Sequence, residues 1–380
     1  MWIAFWSIWQ QEVFVAHRQS IMPRPEPECN DNDKIRKRIL NKRFSSYLMR
    51  AETRVSNVSN LSATNRPARL LYCLFCAWVC ALVFYNFSEN TVDPDLWGHA
   101  LFGQEMLRTH HLDKTEPYSW TANHGPWLNH EVLAEIVIGG SHRLLGGTGI
   151  WLLTVIVGLA TFAIAIRLAL QNLEGNGRAV AWAVGALAVV EIAFGFAARP
   201  QIFTALALAV LLWLLRQIHN GKILWTIALP ILFLFWINTH GGALAGIALL
   251  FGVCGATTLQ LFWSRKTGNV KNITGSRPFT FDVRLVTALW IAFAFSAAAL
   301  FINPWGAELL RWLIKSVSWY RPEIEEWNPP KLGWDHGTMF ILIVLGAIAF
   351  LFSRRQKTLW EISFCAVLAV IALRIGRAHV

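Results

Sequence analysis

The sequence predicts an all-α polytopic membrane protein with about nine to ten transmembrane helices, and three observations support this fold class. Hydrophobic residues make up 55% of the 380 residues, whereas charged residues make up only 15%, well below the roughly 25% of a soluble domain. The mean hydropathy is +0.41. Apolar runs near the ~20 residues that cross a bilayer recur from residue 70 onward. A single soluble core could not bury this much apolar surface, so we expect lipid to be the main solvent.

Residues 1–69 differ from the rest of the chain. They contain alternating prolines at 23–27 and then a basic cluster at 34–43. We expect a mostly disordered extension on the cytoplasmic side, because basic segments beside a span stay in the cytoplasm. The span predicted at 70–87 then places residue 88 onward on the non-cytoplasmic face of a bacterial inner membrane. The net charge of +11 is explained by such loops facing anionic lipid, so no nucleic-acid partner is expected.

The rest of the chain, 70–380, is expected to form one transmembrane domain. Further apolar runs follow the first span, at 129–145, 149–167, 180–198, 201–215, 223–238, 242–263, 285–302, 338–352 and 359–373. If every run crosses, the basic loop 264–284 lies on the non-cytoplasmic side, against the positive-inside rule. We therefore expect that either 129–145 or the pair 180–215 does not span fully. Pro200 breaks that pair, which favours half-helices or a tight hairpin.

Two segments have the pattern of helices that lie in the membrane interface. In 305–316, the apolar residues fall on one face and the charged residues on the opposite one. The apolar face carries Trp305, Leu309, Trp312 and Leu313, and the charged face carries Glu308, Arg311 and Lys315. Segment 96–109, in the first external loop, has a weaker form of the same pattern. An amphipathic helix with basic residues and Trp is typical of this position.

Asp93 and Asp95 are the strongest candidates for chemistry. They flank Pro94 just after the first span, and proline holds the backbone between them. Two carboxylates at this spacing can hold a divalent cation such as Mg²⁺ or Mn²⁺, or can present one carboxylate as a general base. The alternative is a pair of solvated loop acids.

Other polar residues interrupt apolar runs and are candidates for lining a cavity. His99 follows the Asp pair, while His130 and Glu131 begin the run at 129–145. The alternative for the latter two is a role as wet capping residues. Arg199 either extends its charge to the membrane surface or binds an anion such as a lipid-linked phosphate. His240, before two glycines, either lines the cavity or caps a helix.

Several short motifs together resemble a family of bacterial multi-pass proteins related to the GT-C glycosyltransferases. The motifs occur in this order: Asp-Pro-Asp-Leu-Trp-Gly-His (93–99), Pro-Tyr-Ser-Trp-Thr (117–121), Trp-Leu-Asn-His-Glu (127–131), Arg-Pro-Gln (199–201), Trp-Ile-Asn-Thr-His-Gly-Gly (236–242), Asn-Pro-Trp-Gly (303–306) and Glu-Trp-Asn-Pro-Pro (326–330). The resemblance covers about 70–375. Protein mannosyltransferases and lipid A aminoarabinose transferases are more distant relatives of this pattern.

The resemblance implies a glycosyltransferase that takes a sugar from a polyprenyl-phosphate carrier on the non-cytoplasmic face. It implies that Asp93 and Asp95 act as catalytic base or metal ligands. Arg199 is a candidate for the donor phosphate by its chemistry, not by a motif match. The carrier and membrane lipids are the expected partners, and the acceptor stays open.

The sequence departs from the family pattern at Gly98, where a second Trp is common, and in its long N-terminal extension. It also ends directly after an apolar run, where homologues continue with further spans, so we expect a C-terminally truncated copy. Two other functions stay open. A transporter or flippase for a lipid-linked sugar would also carry buried polar residues and broken helices. A non-catalytic membrane scaffold is the third alternative.

Overall fold

The computed structural model describes residues 66–89, 92–121, 124–171, 173, 176–193, 196–267, 283–318 and 337–352. The extension before residue 66, the motif at 326–330 and the run at 359–373 lie outside the described residues. Within these ranges the chain is mostly helical and contains no β-strand, although Thr115 and Pro126 form an isolated antiparallel bridge. The predicted all-helical class is confirmed for this part of the chain.

Every apolar run predicted within the described ranges forms a helix. The helices are α1 Arg66–Phe87, α2 Leu96–Thr109, α3 Val132–Leu145, α4 Gly147–Leu170, α5 Asn176–Ala193, α6 Gln201–His219, a 3₁₀ helix Ile223–Ile227, α7 Ala228–Thr239, α8 Ala243–Thr267, α9 Val283–Ala299, α10 Ala307–Ser318 and α11 Gly337–Phe352. Pro200 precedes α6, and because proline lacks an N–H it is well placed at a helix start.

Five of the described helices are long and apolar enough to cross a membrane, namely α1, α4, α5, α6 and α8. Shorter apolar helices cover 223–239, α9 and much of α11. These lengths and compositions indicate a membrane protein. α5 and α6 have 18 and 19 residues, so the half-helices considered for 180–215 are not what the chain forms. α3 has only 14 residues, a rise of about 21 Å, which is shorter than the roughly 30 Å apolar core of a bilayer.

The described residues belong to two compact units that divide within α1, between Ala81 and Leu82. In the smaller unit, residues 66–81 expose large apolar side chains such as Leu71 and Trp78. A helix that exposes such side chains suits a lipid environment. The larger unit contains the end of α1 and all the other described helices, and the candidate site lies entirely within it.

In the larger unit, α2 and α3 cross at Gly103 and Gly139 with their backbones in contact. A Cβ on Gly103 would lie 1.8 Å from the backbone oxygen of Glu135, and one on Gly139 would lie 2.6 Å from the amide nitrogen of Gln104. Only glycine permits so close an approach. His99 on α2 and Glu135 on α3 each lie four residues before the glycine of their own helix, so the crossing brings one turn of each helix together.

A small apolar cluster supports this crossing and the segment that leads to α6. It consists of Leu96, Ala100, Ile138, Ile150 and Ala198, all buried. Because Ala198 belongs to the cluster, the next residue along the chain, Arg199, is held beside the start of α2. Packing of apolar side chains therefore positions the polar residues that follow.

Helix α10 is amphipathic as predicted, and much of its apolar face is covered by protein. Leu309 and Leu313 are 1% and 5% exposed. A Cβ on Gly241 would lie 2.7 Å from Leu313, and the Trp312 ring lies 5.0 Å from that of His130. Ile314 on the same helix is exposed. This face therefore packs in part over the segment that begins α3, and the interfacial position of the helix stays a prediction.

Candidate functional site

Asp93 and Asp95 both form ion pairs with Arg199. Nε of Arg199 lies 2.5 Å from Oδ2 of Asp93, and Nη2 lies 3.2 Å from Oδ2 of Asp95. The other oxygen of Asp93, Oδ1, accepts the backbone N–H of Asp95 at 2.9 Å. This turn precedes α2, and Arg199 is held by the turn before Pro200. The structure thus brings Arg199 to two aspartates that lie more than 100 positions before it in sequence.

The two carboxylates differ in exposure and therefore in what they can do. The Asp93 side chain is 12% exposed and that of Asp95 is 67% exposed. Because both oxygens of Asp93 are engaged, this residue is suited to positioning Arg199. Asp95 reaches solvent and can meet a ligand. The metal that the family resemblance implies does not fit this pair, since a cation there would lie against a guanidinium group.

A second group of polar residues forms where α2 meets α3. Nδ1 of His99 lies 3.1 Å from Oε1 of Glu135 and 3.9 Å from Oε2 of Glu131. Glu135 is 3% exposed, and its other oxygen, Oε2, accepts a hydrogen bond from Nδ2 of Asn129. Oδ1 of Asn129 also accepts the backbone N–H of Glu131 at 3.0 Å, which holds the turn before α3. Glu131 is the N-cap residue of α3, and Glu135 lies one turn into the helix, where its backbone N–H donates to the carbonyl oxygen of Glu131 at 2.9 Å.

The other oxygen of Glu131 faces two further histidines. Oε1 lies 3.5 Å from Nε2 of His130 and 3.8 Å from Nε2 of His240. The backbone N–H of Gly242 donates to Nδ1 of His240 at 3.1 Å. An N–H can only donate, so Nδ1 accepts, and a neutral His240 carries its proton on Nε2, directed toward Glu131.

A buried hydrogen-bond chain holds His240 in this orientation. Nε1 of Trp236 donates to Oγ1 of Thr204 at 2.9 Å, and the same hydroxyl lies 2.9 Å from Nδ1 of His240. Trp236 is 2% exposed. Since Thr204 belongs to α6 and Trp236 to α7, two helices fix the imidazole that faces the glutamate.

The pKa values of this group reflect burial and mutual charge. Burial raises the pKa of the Glu131 carboxyl to about 7, and the charges of Glu135 and Asp95 add to this, against the opposing effects of His99 and Arg199. Burial, helped by the charge of His99, lowers the pKa of His130 to about 4. We call Asp93, Asp95 and Arg199 the ion-pair group, and His99, Glu131 and Glu135 the glutamate group. Because Asp95 and Arg199 act on Glu131 electrostatically, the two groups form one connected site.

For His99, charge and hydrogen bonding affect the pKa more than burial does. Burial acts to lower the pKa of its imidazole, but the hydrogen bond to Glu135 and the charges of Glu131, Glu135 and Asp95 outweigh burial and raise the pKa. A protonated His99 would donate through Nδ1 to Glu135. Perturbed values that rest on specific partners in a buried cluster are typical of functional sites.

The sequence-predicted candidates Asp93, Asp95, His99, Arg199 and Glu131 come together here. The other two, His130 and His240, face Glu131 from the opposite side, and their rings lie 6.5 Å apart. Sequence reasoning missed Glu135, Asn129, Thr204 and Trp236 as parts of the site. Glu135 did carry a signal, because a carboxylate within an apolar run must face water or protein. Asn129 and Trp236 lie in two of the family-like motifs, 127–131 and 236–242, but neither is among the predicted site residues. Thr204 carried no signal, because Thr is an ordinary residue within apolar helices.

Comparison of the chain with protein-family models, with curated protein sequences and with solved structures gave no match.

Proposed function

We propose that the chain transfers a sugar from a polyprenyl-phosphate donor to an acceptor on the non-cytoplasmic face of a bacterial inner membrane. In this proposal the domain has nine to ten spans with a cytoplasmic N-terminus, and α2 and α10 lie near the membrane surface. The observation that carries the proposal is the pairing of Asp93 and Asp95 with one arginine, beside a buried cluster of glutamates and histidines. Five membrane-length helices and the family-like motifs support it.

The three residues of the ion-pair group have different roles. Asp93 holds Nε of Arg199, so it positions the guanidinium. Arg199 has its charge offset by two carboxylates, and a donor phosphate would therefore compete with the more exposed one, Asp95. A phosphate that displaces Asp95 would gain a charge-assisted contact with the guanidinium.

Displacement also releases the carboxylate that the reaction needs. The freed Asp95 would accept the proton of the acceptor hydroxyl, whose oxygen forms the new bond to the sugar carbon. The sugar–phosphate bond breaks at the same carbon, and the carrier phosphate leaves with the electron pair. General base catalysis of this kind contributes about 10²–10⁴-fold.

The test compares Asp95→Asn with wild type in isolated membranes supplied with radiolabelled polyprenyl-phosphate sugars. We expect transfer of label to endogenous acceptors to fall at least about 100-fold with expression unchanged. Asp113→Asn is the matched control, because Asp113 is an exposed carboxylate in the same external segment that pairs with His111. Transfer that survives in Asp95→Asn at the wild-type rate would refute the proposal.

A transporter for the same lipid-linked sugar is the second candidate. Buried Glu131 and Glu135 between helices favour it, since ionisable residues among membrane helices often mark substrate or ion paths. In sealed vesicles a transporter would move the intact lipid-linked sugar between leaflets and leave the sugar–phosphate bond uncleaved. The same membranes therefore distinguish the two functions by the chemical form of the labelled product.

A further inference from the structure

We propose that His99, Glu131 and Glu135 bind one divalent transition-metal ion. Each offers one ligand atom, and these three atoms all lie within 4.8 Å of one another. The site differs from the one suggested by the aspartate spacing, and it is built from α2 and α3 at their glycine crossing. Metal binding is measured without any substrate, so the inference stands apart from the transferase proposal.

The distances between the ligand atoms suit a bound ion. Zn²⁺ holds nitrogen and oxygen ligands at about 2.0–2.1 Å, which separates neighbouring ligands in a tetrahedron by about 3.4 Å. Nδ1 of His99 lies 3.1 Å and 3.9 Å from the facing oxygens of Glu135 and Glu131. The third separation, between the oxygens of Glu131 and Glu135, is at most 4.8 Å and would close by up to about 1.4 Å as the ion draws the ligands together.

Glu131 is a mostly buried carboxylate whose contacts with three imidazoles are all long. Its oxygens are approached by His99, His130 and His240 at 3.5 to 3.9 Å, beyond the usual 2.7–3.2 Å of a nitrogen–oxygen hydrogen bond. The carboxylate is only 13% exposed and lies close to a second buried carboxylate. Two buried carboxylates this close to one another are expected to share a cation.

The surroundings hold the ligands as metal sites require. Asn129 donates to Oε2 of Glu135 and leaves Oε1 facing His99. His240 directs Nε2 toward the far oxygen of Glu131, and Thr204 and Gly242 fix its orientation. The hydrogen bond from Asn129 is of the kind by which surrounding residues orient metal ligands and tune affinity, and His240 adds a fixed imidazole 3.8 Å from Glu131.

The donor set selects the class of metal. One imidazole with two carboxylates suits Zn²⁺ and other transition metals, whereas Mg²⁺ prefers oxygen ligands alone. For Nδ1 of His99 to coordinate, the ion must displace the proton that it shares with Glu135. Binding should therefore release protons to the buffer.

The test uses the full chain purified in detergent, stripped with EDTA and dialysed against buffer containing Zn²⁺. We expect one Zn²⁺ per chain by elemental analysis, and Mg²⁺ should bind at least about 100-fold more weakly in competition with a zinc indicator. His99→Ala and Glu135→Gln should lose the ion. His111→Ala should retain it, because His111 is an exposed imidazole outside the cluster that pairs with the exposed carboxylate of Asp113 at 3.3 Å.

Glu131→Gln keeps the shape of the side chain and gives a second measurement if His99→Ala or Glu135→Gln does not fold. It should weaken Zn²⁺ binding at least about tenfold while the protein elutes as wild type on gel filtration. Wild-type protein that binds no Zn²⁺ would overturn the inference. So would a folded His99→Ala or Glu131→Gln variant with unchanged affinity, or loss of the ion in the His111→Ala control.

Discussion

Gly103 is the residue on which the geometry of the site depends most directly, and Gly103→Ala tests that dependence. The added Cβ would lie 1.8 Å from the backbone oxygen of Glu135, whereas ordinary contacts begin at 3.4 Å. The obstacle is backbone, so no side chain can rotate away. Helices α2 and α3 would have to separate by about 1.6 Å at this point. The 3.1 Å contact between His99 and Glu135, one turn away, would then open beyond hydrogen-bond range.

The expected loss of stability follows from three contributions. Overpacking at a tight crossing costs about 1–3 kcal/mol, and loss of a hydrogen bond to a charged group costs about 1.5–3 kcal/mol. Alanine in place of glycine within a helix returns about 1 kcal/mol. We therefore expect Gly103→Ala to destabilise the chain by about 1.5–5 kcal/mol, and to weaken Zn²⁺ binding because His99 and Glu135 move apart.

Thermal unfolding in detergent, followed by differential scanning calorimetry, measures the first effect. Gly98→Ala is the matched control on the same helix, because its Cβ would meet only the Phe102 ring, at 3.5 Å. We expect the control to melt at or slightly above the wild-type temperature. Gly103→Ala that melts with wild type and binds Zn²⁺ as tightly would refute the close crossing and the site built on it.

Three further predictions concern single contacts. Arg199→Gln leaves Asp93, only 12% exposed, without its guanidinium partner and should lower the free energy of unfolding by about 2–4 kcal/mol. Adding Asp93→Asn should recover part of this loss. Strict additivity of the two substitutions in the double-mutant cycle would contradict the pairing. The pKa of Glu131 is raised to about 7 in the folded chain, so in EDTA its contribution to the free energy of unfolding depends on pH. That contribution is fully present below the ordinary pKa of a glutamate and is lost as the pH rises through 7. Glu131→Gln should therefore melt above wild type at pH 8 and lose much of that advantage at pH 5, and a pH-independent difference would contradict the shift. Trp236→Phe removes the hydrogen bond to Thr204 and should cost about 1 kcal/mol by calorimetry, whereas Trp225→Phe, at a half-exposed position, should cost less.

The helices of this chain follow from composition because lipid and backbone chemistry leave few alternatives. A run of apolar residues in a bilayer must satisfy its own N–H and C=O groups, so it becomes a helix whatever its partners. The run predicted at 149–167 is Gly147–Leu170 in the structure, and that at 201–215 is Gln201–His219. Whether a helix crosses the membrane is harder to predict from sequence than whether a run forms a helix, because crossing depends on the helix length and on the helices that pack beside it. The carboxylate of Glu135 within the short α3 is buried against α2, a neighbour that the run itself does not reveal.

The site shows where sequence reasoning reaches its limit. The sequence singles out Asp93, Asp95 and Arg199, but it predicts a separate ligand for each kind of side chain rather than the ion pairs that they form with one another. Whether an arginine meets a phosphate or a carboxylate depends on which helices are neighbours, and here burial of Ala198 against the start of α2 decides it. Spacing along the chain carries no information about a partner more than 100 residues away.

One sequence pattern does indicate where His99 and Glu135 meet. His99 and Gly103 are four residues apart on one helix, and Glu135 and Gly139 are four apart on the next helix along the chain. A polar residue one turn before a glycine lies on the same face of its helix, so two such helices that cross at their glycines bring the polar residues together when they run in the same direction, as α2 and α3 do. Burying the carboxylate of Glu135 and keeping a glycine within each helix both lower stability, and both occur at this crossing. Two separate sources of instability at one place indicate that the crossing serves to hold His99 against the two glutamates.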